Sequence, residues 1–120
     1  MMIGADLTGA DLGGILLKGC CISEGIVQNA NLRAANVSRS SFFNTDLRET
    51  NLNEINAKGA SFCGANLYTL ESAILAETNF KGAKTNKGLI CRGMNLIWNT
   101  TMPDGTVVEG PQWVTGRDAR

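Results

Sequence analysis

The chain has 120 residues, with eleven basic and eleven acidic side chains and no histidine. A chain of this length forms one domain. The balanced charge argues against a strongly basic nucleic-acid-binding surface and against a strongly acidic one. The sequence has no run of the roughly 18 apolar residues that a membrane span requires. It also lacks an initial basic segment followed by an apolar one, so we expect a cytoplasmic protein that does not contact membranes.

The residue types needed for common active sites are missing. Without histidine there is no Ser–His or Cys–His pair, and no glycine-rich phosphate-binding motif is present. The four cysteines, Cys20, Cys21, Cys63 and Cys91, are not spaced as a zinc site. We expect Cys20 to be a small core residue and the other three to be outward-facing thiols. The sequence therefore predicts no catalytic residue, no cofactor and no metal.

Apolar residues recur every five positions from residue 7 to residue 67. An α-helix rotates about 140° net over five residues and a strand reverses its faces, so neither can bury this pattern on one side. A chain that turns once per five residues can bury it, with coils stacked at a strand spacing of about 4.8 Å. The pattern predicts a solenoid with a core ladder of Leu7, Leu12, Leu17, Ile22, Val27, Leu32, Val37, Phe42, Leu47, Leu52, Phe62, Leu67, Leu75, Phe80 and Ile90.

The residues before each apolar position support this interpretation. The residue two before is mostly small, as a crowded interior requires. The residue between them is mostly Asp or Asn, whose short side chain can bond to nearby backbone and support a turn.

The repeated Ala–(Asp/Asn)–Leu pattern resembles the pentapeptide-repeat family. The clearest matches are 5–7, 10–12, 30–32 and 65–67. The resemblance implies an all-β fold, a right-handed quadrilateral β-helix with four five-residue sides per coil. At strand spacing the chain would form about four to five coils. Residues twenty apart would then stack, as Ile22, Phe42 and Phe62 do in one predicted ladder.

The period fails after Leu67 and resumes at Leu75, so the register breaks near residues 68–72. The favoured interpretation is a bulge at 68–72 that adds three residues on one corner. The alternative places Leu70 in the core and shortens the coil by two residues. The alternative would stack Phe80 on the earlier phenylalanines, but it requires one side of only three residues.

The C-terminal part of the chain predicts a cap. The repeat is expected to continue through Gly88–Ile90, so that residues 1–97 form the β-helix and residues 98–120 form a cap and tail. Pro103–Gly105 predicts a turn. Trp98 or Trp113 is expected to close the last coil, and residues 115–120 are expected to be frayed.

The flat sides of such a solenoid offer no cleft of the usual catalytic kind. We therefore expect a non-catalytic scaffold that binds an unknown protein partner and no small-molecule substrate, either as a monomer or as an end-to-end dimer. Arginine and aromatic residues carry most binding energy at interfaces, so the candidate surface comprises Arg33, Arg39, Phe43, Arg48 and Tyr68. The resemblance also implies an alternative, a DNA mimic that binds gyrase, although the zero net charge argues against it.

Overall fold

The computed structural model of the chain describes residues 7–22, 24–25, 27, 29–85, 87–91, 94–109 and 112–114. Residues one coil apart pair as parallel strands. Strand β1 (Asp46–Leu47) pairs with β2 (Asn66–Leu67), and single bridges join further positions such as Asp11 and Asn31. The chain thus closes one coil every twenty residues and forms the predicted quadrilateral β-helix.

The β-helix has four faces, each defined by the inward-facing residues at its centre. The first face is centred on Leu7, Val27, Leu47 and Leu67, and the second on Leu12, Leu32, Leu52 and Leu70. The third is centred on Leu17, Val37, Ala57, Leu75 and Ile97, and the fourth on Ile22, Phe42, Phe62, Phe80 and Met102. The first and third faces lie on opposite sides of the square.

Each corner is a tight turn. The backbone N–H three residues after a central residue donates to that residue's carbonyl, as Ile15 does to Leu12 at 3.2 Å. The residue before this donor has a positive φ, for example 68° at Gly14 and 61° at Ala34. A positive φ at this turn position alone is the signature of a type II turn.

The Asp and Asn side chains stabilise these turns. Asn31 Oδ1 accepts the N–H of Arg33 at 2.9 Å, and Asp46 Oδ1 accepts that of Arg48 at 3.1 Å. The role predicted for these short polar residues is therefore confirmed.

The interior is filled by stacked side chains. Phe42, Phe62 and Phe80 are fully buried, with ring centroids 5.1 and 5.3 Å apart. The other core-ladder residues from Leu17 onward are also buried, whereas Leu7 and Leu12, at one end of the stack, are half-buried.

Inward-facing hydroxyl groups are also satisfied within the stack. Thr45 Oγ1 donates to the carbonyl of Ile22 in the adjacent coil at 2.6 Å, and Thr78 Oγ1 donates to that of Ala57 at 2.7 Å.

The favoured interpretation of the register break is wrong. Ile74 pairs with Asn56, eighteen residues away, so this coil is shortened by two residues. Leu70 is 1% exposed and takes the central position of the second face. The reason is that the short side keeps Leu70 buried and stacks Phe80 on Phe62, whereas a three-residue bulge would break both ladders.

The next coil departs from the repeat in the opposite direction. Leu96 pairs with Ile74, twenty-two residues away. The extra length accommodates helix α1 (Lys87–Ile90), which replaces the predicted repeat at this position. Ile90 is nevertheless buried, so the helix fills the end of the core.

The coils continue to Met102, past the predicted boundary at residue 97. Strands β3 (Asn95–Ile97) and β4 (Thr100–Thr101) form the last turns of the third and fourth faces. Strand β5 (Val107–Val108) pairs antiparallel with β4, and β6 (Gln112–Val114) pairs antiparallel with β3. These two strands cover edges that would otherwise be open to strand pairing.

The structure removes one of the two alternatives for the cap and corrects the expectation for Cys91. Trp98 is 44% exposed, because it follows the inward-facing Ile97 and points outward, so it does not close the last coil. Cys91 is buried rather than outward, because it directly follows helix α1 against the core. The Trp113 side chain and residues 115–120 lie outside the described part of the chain.

Candidate interaction surface

The predicted surface residues are distributed over all four faces. Arg33 lies on the second face, Arg39 on the third and Phe43 on the fourth, whereas Arg48 and Tyr68 both lie on the first. Phe43 and Tyr68 are 45% and 56% exposed. The structure therefore brings together only one pair of the five candidates.

Arg33 is engaged within the chain. Its Nε lies 2.5 Å from Glu54 Oε2, and Glu71 lines the same shallow depression of about 270 Å³. The side chains of Arg33 and Glu54 are 62% and 46% exposed, so the pair is a surface ion pair. Two carboxylates and one guanidinium line this depression, so its side chains carry a net negative charge.

Arg48 is held in a fixed orientation on the first face. Its Nε donates to Asp46 Oδ1 at 2.8 Å and its Nη2 donates to Asp46 Oδ2 at 2.6 Å. This two-bond contact lowers the pKa of Asp46 and raises the pKa of Arg48, to which Tyr68 adds a smaller contribution. The guanidinium is thereby immobilised beside the exposed ring of Tyr68.

Lys84 extends this surface towards helix α1. It pairs through its backbone with Asn66 on the first face. It also lines two neighbouring depressions. One is polar, about 340 Å³, and includes Arg48; the other, about 220 Å³, is bounded by Tyr68 and Leu89. We call the surface formed by Asp46, Arg48, Asn66, Tyr68, Lys84 and Leu89 the first-face shelf.

Sequence reasoning missed Lys84 and Leu89. Lys84 reaches the shelf because the preceding coil is two residues short. Leu89 reaches it because helix α1 replaces a repeat. The available signal was the alternative register, which places Phe80 on Phe62 and therefore Lys84 beside Asn66.

The shelf presents groups that protein interfaces use. A fixed guanidinium and an exposed tyrosine ring are typical of interface residues. Within the described ranges no cluster of three or more Cys, Asp or Glu side chains is placed to hold a metal. No helix in the same ranges is long and apolar enough to cross a bilayer.

These observations define a class, a solenoid of stacked four-sided coils. The family model for pentapeptide repeats matches residues 2–39 and 40–68, with eight copies of the repeat. The chain belongs to the pentapeptide-repeat family, whose fold is the right-handed β-helix. The predicted fold class is confirmed.

Solved structures of the same fold come from plants and cyanobacteria. A pentapeptide-repeat protein of the Arabidopsis thaliana thylakoid lumen is 27% identical, with a TM-score of 0.68 over 84% of this chain and 70% of its own. Rfr23 from Cyanothece 51142 is 23% identical, with a TM-score of 0.69 over 95% and 83%.

HetL from Nostoc sp. strain PCC 7120, which is involved in the regulation of heterocyst differentiation, is 27% identical. Its TM-score is 0.54, over 89% of this chain and 48% of its own. No curated protein sequence matches the chain at a significant level.

Proposed function

We propose that this protein is a non-catalytic scaffold that binds a protein partner through the first-face shelf. The observation that carries the proposal is the juxtaposition of Arg48, Tyr68 and Lys84 around two neighbouring depressions. Because Asp46 already immobilises the guanidinium, little side-chain entropy is lost when a partner binds there.

The shape of the molecule supports binding rather than catalysis. The centre of each coil is filled by apolar side chains, and the shelf is open to solvent. A rigid solenoid of this kind presents extended flat surfaces to partners. We propose no small-molecule substrate and no cofactor, and we propose the cytoplasm as the compartment.

The family link gives the proposal a biological setting. HetL is involved in the regulation of heterocyst differentiation. A regulatory role through protein binding is therefore part of the proposal for this chain. The DNA-mimic alternative gains no support, because the net charge is zero and the third face carries Lys18, Arg39 and Lys58.

The test is affinity capture from cells that express the chain. We expect wild-type protein to retain a partner that the Arg48→Ala/Tyr68→Ala variant loses. The matched control, Phe43→Ala/Lys81→Ala, removes an aromatic ring and a cation from the fourth face and should retain the partner. Equal loss by both variants would show that the first face does not carry binding.

A supercoiling assay with gyrase and a quinolone separates the DNA-mimic alternative. We expect no protection of gyrase by the wild-type protein. Protection would contradict the proposed scaffold function.

A further inference from the structure

One outward row of the third face is rich in uncompensated positive charge. Backbone hydrogen bonds place Lys18, Ser38 and Lys58 in successive coils of this row. Arg39 lies at the corner beside Ser38, and its Cγ packs within 3.4 Å of the position that a Cβ on Gly59 would occupy. All three cationic side chains are exposed.

Within the part of the chain that the structure describes, no ion pair involves Lys18, Arg39 or Lys58. The two ion pairs found among the described residues involve Arg33 and Arg48, on other faces. Of the acidic side chains that the structure describes, Glu77 is the one on the third face, at a corner near its C-terminal end. The row therefore carries three positive charges over two coil steps, about 10 Å at strand spacing.

The same row becomes apolar towards the C-terminus. Ala76 follows Lys58 in the row, and Trp98 follows Ala76. Ala76 is 3% exposed although it is on the outward side, whereas Trp98 is 44% exposed. Ile74 and Leu96 stand beside them and are half-buried. Along this row the face thus has a basic half and an apolar half, and the exposed Leu16 adds an apolar side chain beside Lys18.

We infer that the third face binds an acidic segment of a partner protein, with carboxylates over Lys18, Arg39 and Lys58 and apolar side chains against Trp98. Charge complementarity determines the first half of this assignment. An exposed tryptophan at the end of a charged row is a typical interface anchor. The apolar half favours a protein over a nucleic acid, whose phosphates would require cations along the whole row.

This surface is separate from the first-face shelf, since the two faces are on opposite sides of the β-helix. A partner on one face leaves the other accessible. The inference therefore does not depend on the proposed function, and each can fail without the other.

The test measures binding of a labelled synthetic peptide, a run of glutamates followed by leucines, to the full chain at low salt. We expect saturable binding that weakens as salt is added. Lys18→Gln/Lys58→Gln should weaken binding by about tenfold, equivalent to 1.4 kcal/mol. Trp98→Ala should weaken it less, and a peptide with glutamines in place of glutamates should not bind.

The matched control is Arg33→Gln/Lys81→Gln, which removes two positive charges from the second and fourth faces. It should bind the glutamate peptide as the wild type does. Equal weakening by both double variants, or no binding of the peptide at low salt, would overturn the inference. Tighter binding of an oligothymidylate of the same length, lost in Lys18→Gln/Lys58→Gln, would assign the face to nucleic acid and would also overturn it.

Discussion

The corner positions carry backbone strain that the sequence relieves in some coils and not in others. Gly14 and Ala34 occupy equivalent corners of successive coils on the second face, with φ values of 68° and 61°. A left-handed conformation costs a non-glycine residue about 1–2 kcal/mol, whereas glycine adopts it without that cost. The non-glycine corners therefore offer sites for stabilising substitutions.

We predict that Ala34→Gly stabilises the protein. The strain energy that is relieved exceeds the free-energy cost of the extra conformational entropy that glycine has in the unfolded chain. The free energy of unfolding should therefore rise by about 0.5–1 kcal/mol. Urea unfolding measures this change. Gly14→Ala, where an added Cβ would meet no atom within 4 Å, should lower stability by about 1 kcal/mol through φ alone. The two substitutions should change the free energy of unfolding in opposite directions. A loss of stability in both variants would contradict the strain argument.

The Asp46–Arg48 contact makes stability depend on pH. The pKa of Asp46 is lowered in the folded state, chiefly by the hydrogen bond from Arg48, from an ordinary value of 3.8. A carboxylate of this kind contributes its full stabilisation above its unfolded pKa and loses it as the pH falls through the folded value. The side chains of Asp46 and Arg48 are 24% and 42% exposed, so the contribution is at most about 1 kcal/mol.

We predict that Asp46→Asn reduces the acid sensitivity of the fold. The asparagine can still accept the N–H of Arg48, so the turn persists while the ionisation is removed. The loss of unfolding free energy between pH 7 and about pH 3 should be smaller than in the wild type by up to about 1 kcal/mol. Arg48→Gln, which removes the cation instead, should have a similar effect. An unchanged pH dependence in both variants would refute the assignment.

The shortened side and helix α1 are joined by one asparagine. Asn95 is fully buried at an inward position of the third face that holds an apolar residue, isoleucine or alanine, in the other coils. Its Nδ2 donates to the carbonyls of Leu70 and Ile90, each at 3.1 Å, and its Oδ1 accepts the N–H of Ala73 at 3.0 Å. At a regular corner the equivalents of the Leu70 carbonyl and the Ala73 N–H bond each other, whereas here the Asn95 side chain bonds both. One side chain thus links the shortened side to the end of helix α1.

We predict that Asn95→Ala is severely destabilising. It leaves several buried backbone groups without hydrogen bonds, at a cost of about 2–4 kcal/mol. Thermal unfolding followed by circular dichroism measures the loss. The comparison variant, Asn56→Ala, removes a single turn hydrogen bond of 3.2 Å to Lys58 and should cost about 1 kcal/mol or less. If Asn95→Ala and Asn56→Ala lowered the melting temperature equally, the hydrogen bonds of Asn95 would not hold the shortened side and helix α1 together.

The β-helix as a whole is a stack in which each coil contacts its neighbours. The pairing interval is twenty residues through the regular coils, as between Asn31 and Asn51 or Ser41 and Ser61. Stability in such a solenoid is approximately a sum of units and nearest-neighbour terms. The fold should therefore tolerate the loss of a complete coil but not a shift in register.

We predict that deletion of residues 32–51 yields a folded, shorter β-helix. The new junction joins Asn31 to Leu52, which restores the Asn–Leu order and keeps every remaining residue on its face. The melting temperature should fall because fewer interfaces remain, and unfolding should stay cooperative. Deletion of 33–51 rotates the inward residues out of register and should abolish folding. Circular dichroism and thermal melts distinguish the two, and a folded product from the second deletion would contradict the register.

Much of this architecture could be predicted from the chain because the same contact recurs in every coil. The apolar ladder, the small inward residues and the Asp or Asn turn side chains are each repeated many times. Repetition averages out local exceptions, so the inward positions and the outward orientation of Arg33, Phe43 and Tyr68 could be assigned correctly. The number of faces followed from the resemblance to the pentapeptide-repeat family and not from the period. The grouping of Arg48 with Tyr68 follows from the same twenty-residue interval.

The irregular parts depended on contacts that occur once. The stacking of Phe80 on Phe62 and the burial of Leu70 decided the shortened coil, and that choice brought Lys84 to the first face. Asn95 and the antiparallel strands β5 and β6 are equally singular. The five-residue period determined the stacked-coil architecture because it sums many equivalent local preferences along the chain. The path of the register break, the cap and the shelf required the tertiary structure. Each of them depends on a single long-range contact that no repeat reveals.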